Sequence, residues 1–389
     1  MLIPISNAPR DYAWGSETLI ADLQGREPSG APEAEIWFGD HPGNPSRVDD
    51  GTGRELGVAL AEQGVAPLPY LLKILAAATS LSIQAHPSRE QAVAGFEREE
   101  TAGIPRDAGD RLYRDRNHKP EIIVALSERF RALVGLRPLA DTRRLVASLG
   151  ADPQLAPLTR ALETRDGEQE SAALHRVIGW ALSGDAADVV DALARSLAAA
   201  GPDAADAPFS AERAVLSRVA AEFPGDAGLI VATLMNLVEL RRGEALFAPA
   251  GVLHAYQDGL GVELMAASDN VLRGGLTPKH IDVPELLRIV DTSSGPAPVV
   301  PAVEAAPHVF SYDPGVPDFR LDRVEASFEA VAEIPLSGTA IVLATSGDIV
   351  VEAGGERVEL VPGAAVVVVA HTVAIGGAGE AFVAQPGIG

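Results

Sequence analysis

The chain changes texture twice along its length. From Pro4 to about Arg137, Gly, Pro, Asn and Asp break the sequence every few residues, leaving short apolar runs such as residues 71–77 and 122–126. Runs of that length between turn-forming residues suit strands, with a few helices among them. Between about Leu139 and Leu240 apolar residues recur at helical spacing, as in Leu174, Val177 and Ile178, or Val189, Val190, Leu193 and Leu197. Gly184-Asp185, Gly201-Pro202-Asp203 and Pro224-Gly225-Asp226 punctuate this stretch, which predicts four or five helices. After Arg241-Arg242-Gly243-Glu244 the strand texture returns. Residues 340–344, 349–352, 358–361 and 365–369 read as strands, split by Ser346-Gly347-Asp348, Gly354-Gly355 and Pro362-Gly363. That spacing is the signature of a barrel or sandwich. The Pro-rich residues 295–307 read as a surface connector.

A β–α–β order over 389 residues exceeds the roughly 250–300 residues at which one core splits, so two or three domains are expected. The chain contains no cysteine, which excludes disulfides, thiolate metal sites and a cysteine nucleophile. Any metal must be held by nitrogen and oxygen. A net charge of −23 repels phosphate backbones and anionic lipid, so neither nucleic acid nor membrane is an expected partner. The first residues, Met1-Leu2-Ile3-Pro4-Ile5-Ser6-Asn7, show no basic stretch followed by an apolar one. A cytoplasmic location and a monomer are the expectation.

Four peptides concentrate the polar chemistry. In Leu81-Ser82-Ile83-Gln84-Ala85-His86-Pro87, a strand would send Ser82, Gln84 and His86 to one face. Such a face is either solvated or able to grip a metal through Gln84 and His86. Asn117-His118-Lys119-Pro120-Glu121 runs into an apolar strand that Glu121 opens; it reads as a surface turn or as a carboxylate aimed inward. Gly243 to Tyr256 joins a short strand through Pro249-Ala250-Gly251 to His254, a spacing that resembles the cupin superfamily, in which that His is a metal ligand. Gln84, His86, Glu121 and His254 together make a two-His, one-carboxylate, one-amide set. Finally, Arg273 and Lys279 flank Gly274-Gly275-Leu276-Thr277-Pro278, a charged surface loop or a seat for an anionic ligand.

In this order the four peptides resemble type I phosphomannose isomerase. The resemblance extends to Tyr12-Ala13-Trp14-Gly15-Ser16, to Ala34-Glu35-Ile36-Trp37-Phe38-Gly39-Asp40-His41-Pro42, and to Leu68-Pro69-Tyr70-Leu71-Leu72-Lys73-Ile74-Leu75. It is dense over residues 7–136 and 243–290 and weak in the helical middle and the last hundred residues. It implies a mainly β chain with an α insertion: two cupin-type jelly-roll β-barrel domains plus a helical domain. The catalytic jelly roll would comprise residues 1–137 and 241–290, the helical insertion 138–240 and the C-terminal jelly roll 291–389.

The implied activity is a zinc-dependent aldose–ketose isomerisation of mannose 6-phosphate and fructose 6-phosphate through an enediol, with one Zn2+ per chain. Gln84, His86, Glu121 and His254 carry over as metal ligands and Arg273 as the catalytic arginine. Lys73, Ser82, His118, Lys119, Glu263, Asp269, Lys279 and Trp14 carry over as substrate-binding residues, with Glu35 in the wall. Glu263, Asp269, His118 and Lys119 are the base candidates; Lys73, Lys119 or Lys279 would meet the phosphate. The alternatives are an isomerase for another sugar phosphate, a non-catalytic bicupin that binds metal or sugar, and a cupin oxygenase holding Fe(II).

Overall fold

The computed structural model describes residues 1–199 and 207–388; the turn expected at Gly201-Pro202-Asp203 lies outside the described residues. The first strand-rich stretch contains β1 (Leu2–Ser6), α1 (Leu19–Leu23), β2 (Glu35–Phe38), β3 (Arg47–Val48), α2 (Leu56–Glu62), β4 (Tyr70–Ala77), β5 (Ile83–Ala85), α3 (Arg89–Thr101), β6 (Glu121–Ala125) and β7 (Phe130–Leu136). The middle holds α4 (Leu139–Ser148), a 3-10 turn at Pro153–Leu155, α5 (Ala156–Ala161), α6 (Glu170–Leu182), α7 (Ala187–Ala199), α8 (Ser210–Glu222) and α9 (Gly228–Leu234). Six α-helices therefore stand among the described residues where punctuation predicted four or five, because short helices such as α5 and α9 lack a Gly or Pro stop at every end. β8 (Met235–Leu240), β9 (Ala245–Ala248), β10 (His254–Ala266), β11 (Leu272–Gly275) and α10 (Val283–Ile289) complete this half.

The remainder is strand: β12 (Val299–Val300), β13 (Val303–Ala306), β14 (Val309–Tyr312), β15 (Arg320–Ala326), β16 (Ala332–Pro335), β17 (Ala340–Ala353), β18 (Glu356–Leu360), β19 (Ala365–Val368) and β20 (Thr372–Gln385). The two strands expected at 340–344 and 349–352 are one strand, β17. Ser346-Gly347-Asp348 does not turn the chain. Instead the register against β20 shifts between Ala344 and Ser346, and Gly347 takes φ +67° within the ladder, a conformation that glycine adopts at little cost.

The strands form two ten-stranded sheets, antiparallel throughout their named pairings. The first centres on β10, which pairs with β4, β5, β6 and β7. Period-two alternation then sorts its side chains. Leu72 and Ile74 of β4, Ile122 and Val124 of β6, and Val262 and Leu264 of β10 pack against Ile341, Leu343, Val367 and Phe382 of the second sheet. Leu75, Ala77, Ile123, Ala125, Val134 and Tyr256 turn the other way and fill the interior of the first sheet. Ile83, Ala85, Leu133, Ala255 and Leu272 form a third surface, covered by helices through residues such as Val177, Ile178, Leu193 and Leu229. The first sheet is thus enclosed on both outer sides, and its interior is the place where polar side chains are shielded from solvent.

Strand pairing crosses between the segments in both directions. β1 and β3 lie in the second sheet, where β1 pairs with β19, whereas β12 pairs with β9 of the first. The second sheet surrounds its own core of Val, Ile, Leu and Ala residues. Among the described residues, no helix is long and apolar enough to cross a membrane.

Candidate metal centre and its surroundings

Three of the sequence candidates meet. His86 Nε2 lies 3.3 Å from Glu121 Oε1, and His254 Nε2 lies 3.1 Å from Glu121 Oε2. The imidazole centroids are 5.0 Å apart, and all three side chains are buried. Each follows from strand position: Glu121 opens β6, His254 opens β10, and His86 directly follows β5. The fourth candidate, Gln84, is the central residue of β5 and stands opposite both His254 on β10 and Arg273 on β11. Directly opposed residues of antiparallel strands share a face, so Gln84, His254 and Arg273 point to the same side.

Outer contacts fix both histidines. His86 Nδ1 is 2.7 Å from the Asn270 carbonyl oxygen and His254 Nδ1 is 3.0 Å from that of Val252. A carbonyl only accepts, so each Nδ1 donates, and each neutral ring is left with a lone pair on Nε2. Both Nε2 atoms are buried without a hydrogen-bond partner. Two buried lone pairs converging on one carboxylate would cost free energy if left unmet; a divalent cation with nitrogen and oxygen preference fits them, and zinc is such a cation. Burial pushes His86 down to about 4, with Glu121 opposing and Lys119 assisting, which keeps the ring available for a metal at neutral pH. Burial alone would raise Glu121, but the Lys119 ammonium (Nζ to Oε1 2.9 Å) holds it well below the usual carboxylate range.

A second charged cluster adjoins the first. Lys73 on β4 is in register with Glu263 on β10 and Trp37 on β2. Its ammonium lies 2.9 Å from Glu263 Oε2, 3.5 Å from Glu35 Oε1 and 5.1 Å from the Trp37 ring centroid. Burial works to lower Lys73, but Glu263, Glu35 and Glu121 outweigh it and keep the group protonated. Glu263 is raised by its burial and by the neighbouring Glu121 and Glu35, with Lys73 opposing. Tyr256, buried beside Glu263, is raised well above the ordinary phenol value by burial and by the same carboxylates.

The cations after β11 are placed differently. Burial and the nearby Arg114 lower Arg273; burial, Arg273 and Arg114 lower Lys279. Arg114 had not been singled out in the sequence. These three like charges crowd one another, and none of their side chains makes an ion pair among the described residues. The loop that carries them is held by Asp226, whose carboxylate accepts from the amides of Gly228 (2.7 Å), Leu276 (3.0 Å) and Thr277 (3.0 Å). At Gly275 the strand touches the first turn of α9 so closely that a Cβ there would collide with Gly228 Cα.

The remaining candidates sit around this core. His118 Nε2 lies 2.6 Å from Asp318 Oδ2. Asp269 Oδ1 lies 3.3 Å from His41 Nε2; partial burial would raise its carboxyl, but His41 holds it down. Trp14 stacks on Tyr12 at 5.7 Å and packs against the interior cluster, while Ser82 is half-buried ahead of β5. Asn270 escaped the sequence reading. It is fully buried, accepts from the amides of Arg114 and Asp115, and donates to the carbonyls of Asp115 and Asn117. It therefore fixes the loop whose carbonyl orients His86. The only sequence signal for it is its place between Asp269 and Val271 in a polar stretch.

Residues 2–139 match the family described as phosphomannose isomerase type I, catalytic domain. Mannose-6-phosphate isomerase of Escherichia coli K12 is 35% identical over 384 residues, covering 94% of each chain, and the Homo sapiens protein of that name is 31% identical over 391 residues, covering 90% of this chain and 88% of its own. The crystal structure of mannose 6-phosphate isomerase from Salmonella typhimurium bound to substrate (f6p) and zinc is similar over 100% of both chains, with a TM-score of 0.87 at 30% identity. The chain belongs to the type I phosphomannose isomerase family.

Proposed function

We propose that the chain is a zinc-dependent isomerase that interconverts mannose 6-phosphate and fructose 6-phosphate through an enediol. The observation that carries the reading is the pair of buried, unpartnered Nε2 atoms of His86 and His254 converging on Glu121, in a chain of this family. Gln84, on the same face as His254, is the fourth ligand in this reading. When bound, one zinc ion per chain supplies Lewis acidity for the negative charge that develops on the sugar oxygens as the proton leaves carbon.

The protein's own groups do the rest. Arg273, on β11 directly opposite Gln84 of β5, brings a fixed positive charge to the developing oxyanion. A base must move the proton between C2 and C1, and a group with a pKa near the working pH serves best. Of Glu263, Asp269, His118 and Lys119, Glu263 is the carboxyl whose surroundings raise it, and we assign it the proton. Lys73 holds Glu263 in place. Arg114 and Lys279, whose side chains make no ion pair among the described residues, take the phosphate, anchoring the far end of the sugar so that its reacting carbons are oriented. Trp14, Ser82, His118, Lys119 and Asp269 line the surroundings.

In the same reading the catalytic unit is residues 1–137 and 241–290, built as a cupin-type jelly roll, with 138–240 inserted and 291–389 as a second jelly roll. The protein works as a cytoplasmic monomer without nucleic-acid partners; the charge of −23 supports the last point. The test is a coupled assay of mannose 6-phosphate conversion before chelation, after it, and after zinc is restored. Activity that disappears and returns supports the reading, whereas inactivity in all three arms removes it.

A further inference from the structure

Every group used so far comes from the first sheet and its loops, yet one buried carboxylate from the C-terminal segment reaches the same neighbourhood. Asp318 lies between β14 and β15 and is 6% exposed. Its Oδ2 is 2.6 Å from His118 Nε2 and its Oδ1 is 3.2 Å from Arg89 Nη2. His118 precedes Glu121 through Lys119-Pro120, and Arg89 follows His86 through Pro87-Ser88. Asp318 thus touches both of the loops that carry the first two members of the metal cluster, through residues that lie outside the cluster itself.

We infer that Asp318 is a positioning residue for the metal centre, tying the His86 loop to the Glu121 loop from the C-terminal half of the chain and holding His118 in the tautomer protonated on Nε2. Three observations support this. Phe319, the next residue, is completely buried in the core shared by the two sheets, so the carboxylate is mounted on a rigid anchor. Arg89 is the first residue of α3, where a positive charge opposes the helix dipole; an ionised carboxylate at 3.2 Å compensates it. An ionised carboxylate only accepts hydrogen bonds, so the 2.6 Å contact requires the proton on His118 Nε2. Although burial would raise Asp318, His118 and Arg89 hold it below the ordinary aspartate value, which keeps the carboxylate ionised at neutral pH.

The inference rests on the zinc isomerase reading for its activity arm, and its other readouts are independent of turnover. Zinc affinity of the metal-stripped protein is measured by chelator competition, and the His118 tautomer by nitrogen NMR, for the parent, Asp318→Ala, Asp318→Asn and Arg320→Ala. Losing an outer contact of a metal site typically weakens the metal by about 10- to 100-fold. Asp318→Ala is expected to fall in that range, to lose the fixed Nε2–H signature of His118, and to lower kcat more than it raises KM. Asp318→Asn preserves shape and is expected to show a smaller loss in the same direction, which separates positioning from simple misfolding. Arg320→Ala breaks a neighbouring pair with Asp322 that touches neither loop, and should leave zinc affinity within about two-fold, as ordinary substitutions away from a site do. Parental zinc affinity and an unchanged His118 signature in Asp318→Ala and Asp318→Asn would overturn the inference. A parent that binds zinc without isomerising the sugar phosphate would instead remove the functional reading, while the zinc comparison still decides the role of Asp318.

Discussion

Lys73 and Glu263 face each other across paired strands, Nζ to Oε2 2.9 Å, with Glu35 on the other side of the ammonium at 3.5 Å. One buried cation therefore holds two buried carboxylates apart, so its removal leaves them to repel each other in a medium of low polarity. Breaking a buried pair by deleting one partner commonly costs about 3–5 kcal/mol. Lys73→Met is expected to lose stability in that range by urea unfolding, and adding Glu263→Gln should recover part of it. Additive losses in the double variant would mean the two groups do not interact.

Removal of a metal ligand should act on metal content before it acts on fold. His254→Ala deletes one of the two Nε2 atoms, leaving His86 after β5 and Glu121 on β6 in place. Zinc per chain, measured by atomic emission after dialysis, is expected to fall far below one while the far-ultraviolet circular dichroism is kept. A full complement of zinc would take His254 out of the ligand set.

Arg273 and Arg114 are expected to separate along different kinetic parameters. Losing a preorganised charge at the developing oxyanion typically costs about 10²- to 10³-fold in kcat, so Arg273→Ala should keep zinc and lose turnover by that order. Arg114→Ala should raise KM and lower kcat less than Arg273→Ala does, because an anchor on a remote group both binds and orients the substrate. If Arg114→Ala lowers kcat alone, its assignment to the phosphate is wrong.

The metal-free protein should lose stability in acid over a defined window. His86 titrates near 4 when folded against 6.5 as the ordinary value, so between those values the unfolded chain binds more protons than the folded one. Stability from this group is complete above 6.5 and is lost as the pH falls towards 4. The full shift corresponds to about 3 kcal/mol. Urea unfolding of chelated protein from pH 7 to 4 should show this slope, and His86→Gln should flatten it.

The candidates Gln84, His86, Glu121 and His254 were legible through strand spacing taken together with the family resemblance, since Gln84 and His86 are two apart and Glu121 and His254 each open a strand; the fold brings His86, Glu121 and His254 together. The contact of Asp318 with His118 was not legible. It joins residues 200 apart through a loop of Pro, Gly and Asp that resembles any surface connection. Asn270 and Asp226 were equally silent, since their partners are mostly backbone groups and carry no residue-type signature. Arg114 resembled its neighbours Arg111 and Arg116, and only the folded chain separates it: Arg116 pairs with Glu97 and Arg111 with Glu99 and Glu100. The second sheet shows the opposite failure. Its strands were visible, but Ser346-Gly347-Asp348 carries the composition of a turn while sitting in an unbroken ladder, where only the register shift reveals what the glycine does.

The pairing of β1 with β19 sets an order of events during synthesis. Met1 and Val369 are hydrogen-bonded although 368 residues separate them, so β1 is synthesised long before the strand it pairs with. At typical elongation rates of about 5–20 residues per second, the amino-terminal strand waits roughly 20–70 s for β19 to be made. Its Leu2-Ile3-Pro4-Ile5 edge is exposed to unintended pairing throughout that interval. Pro4, which lacks an amide hydrogen to offer, stands in the middle of that strand and limits what a stray partner can bind.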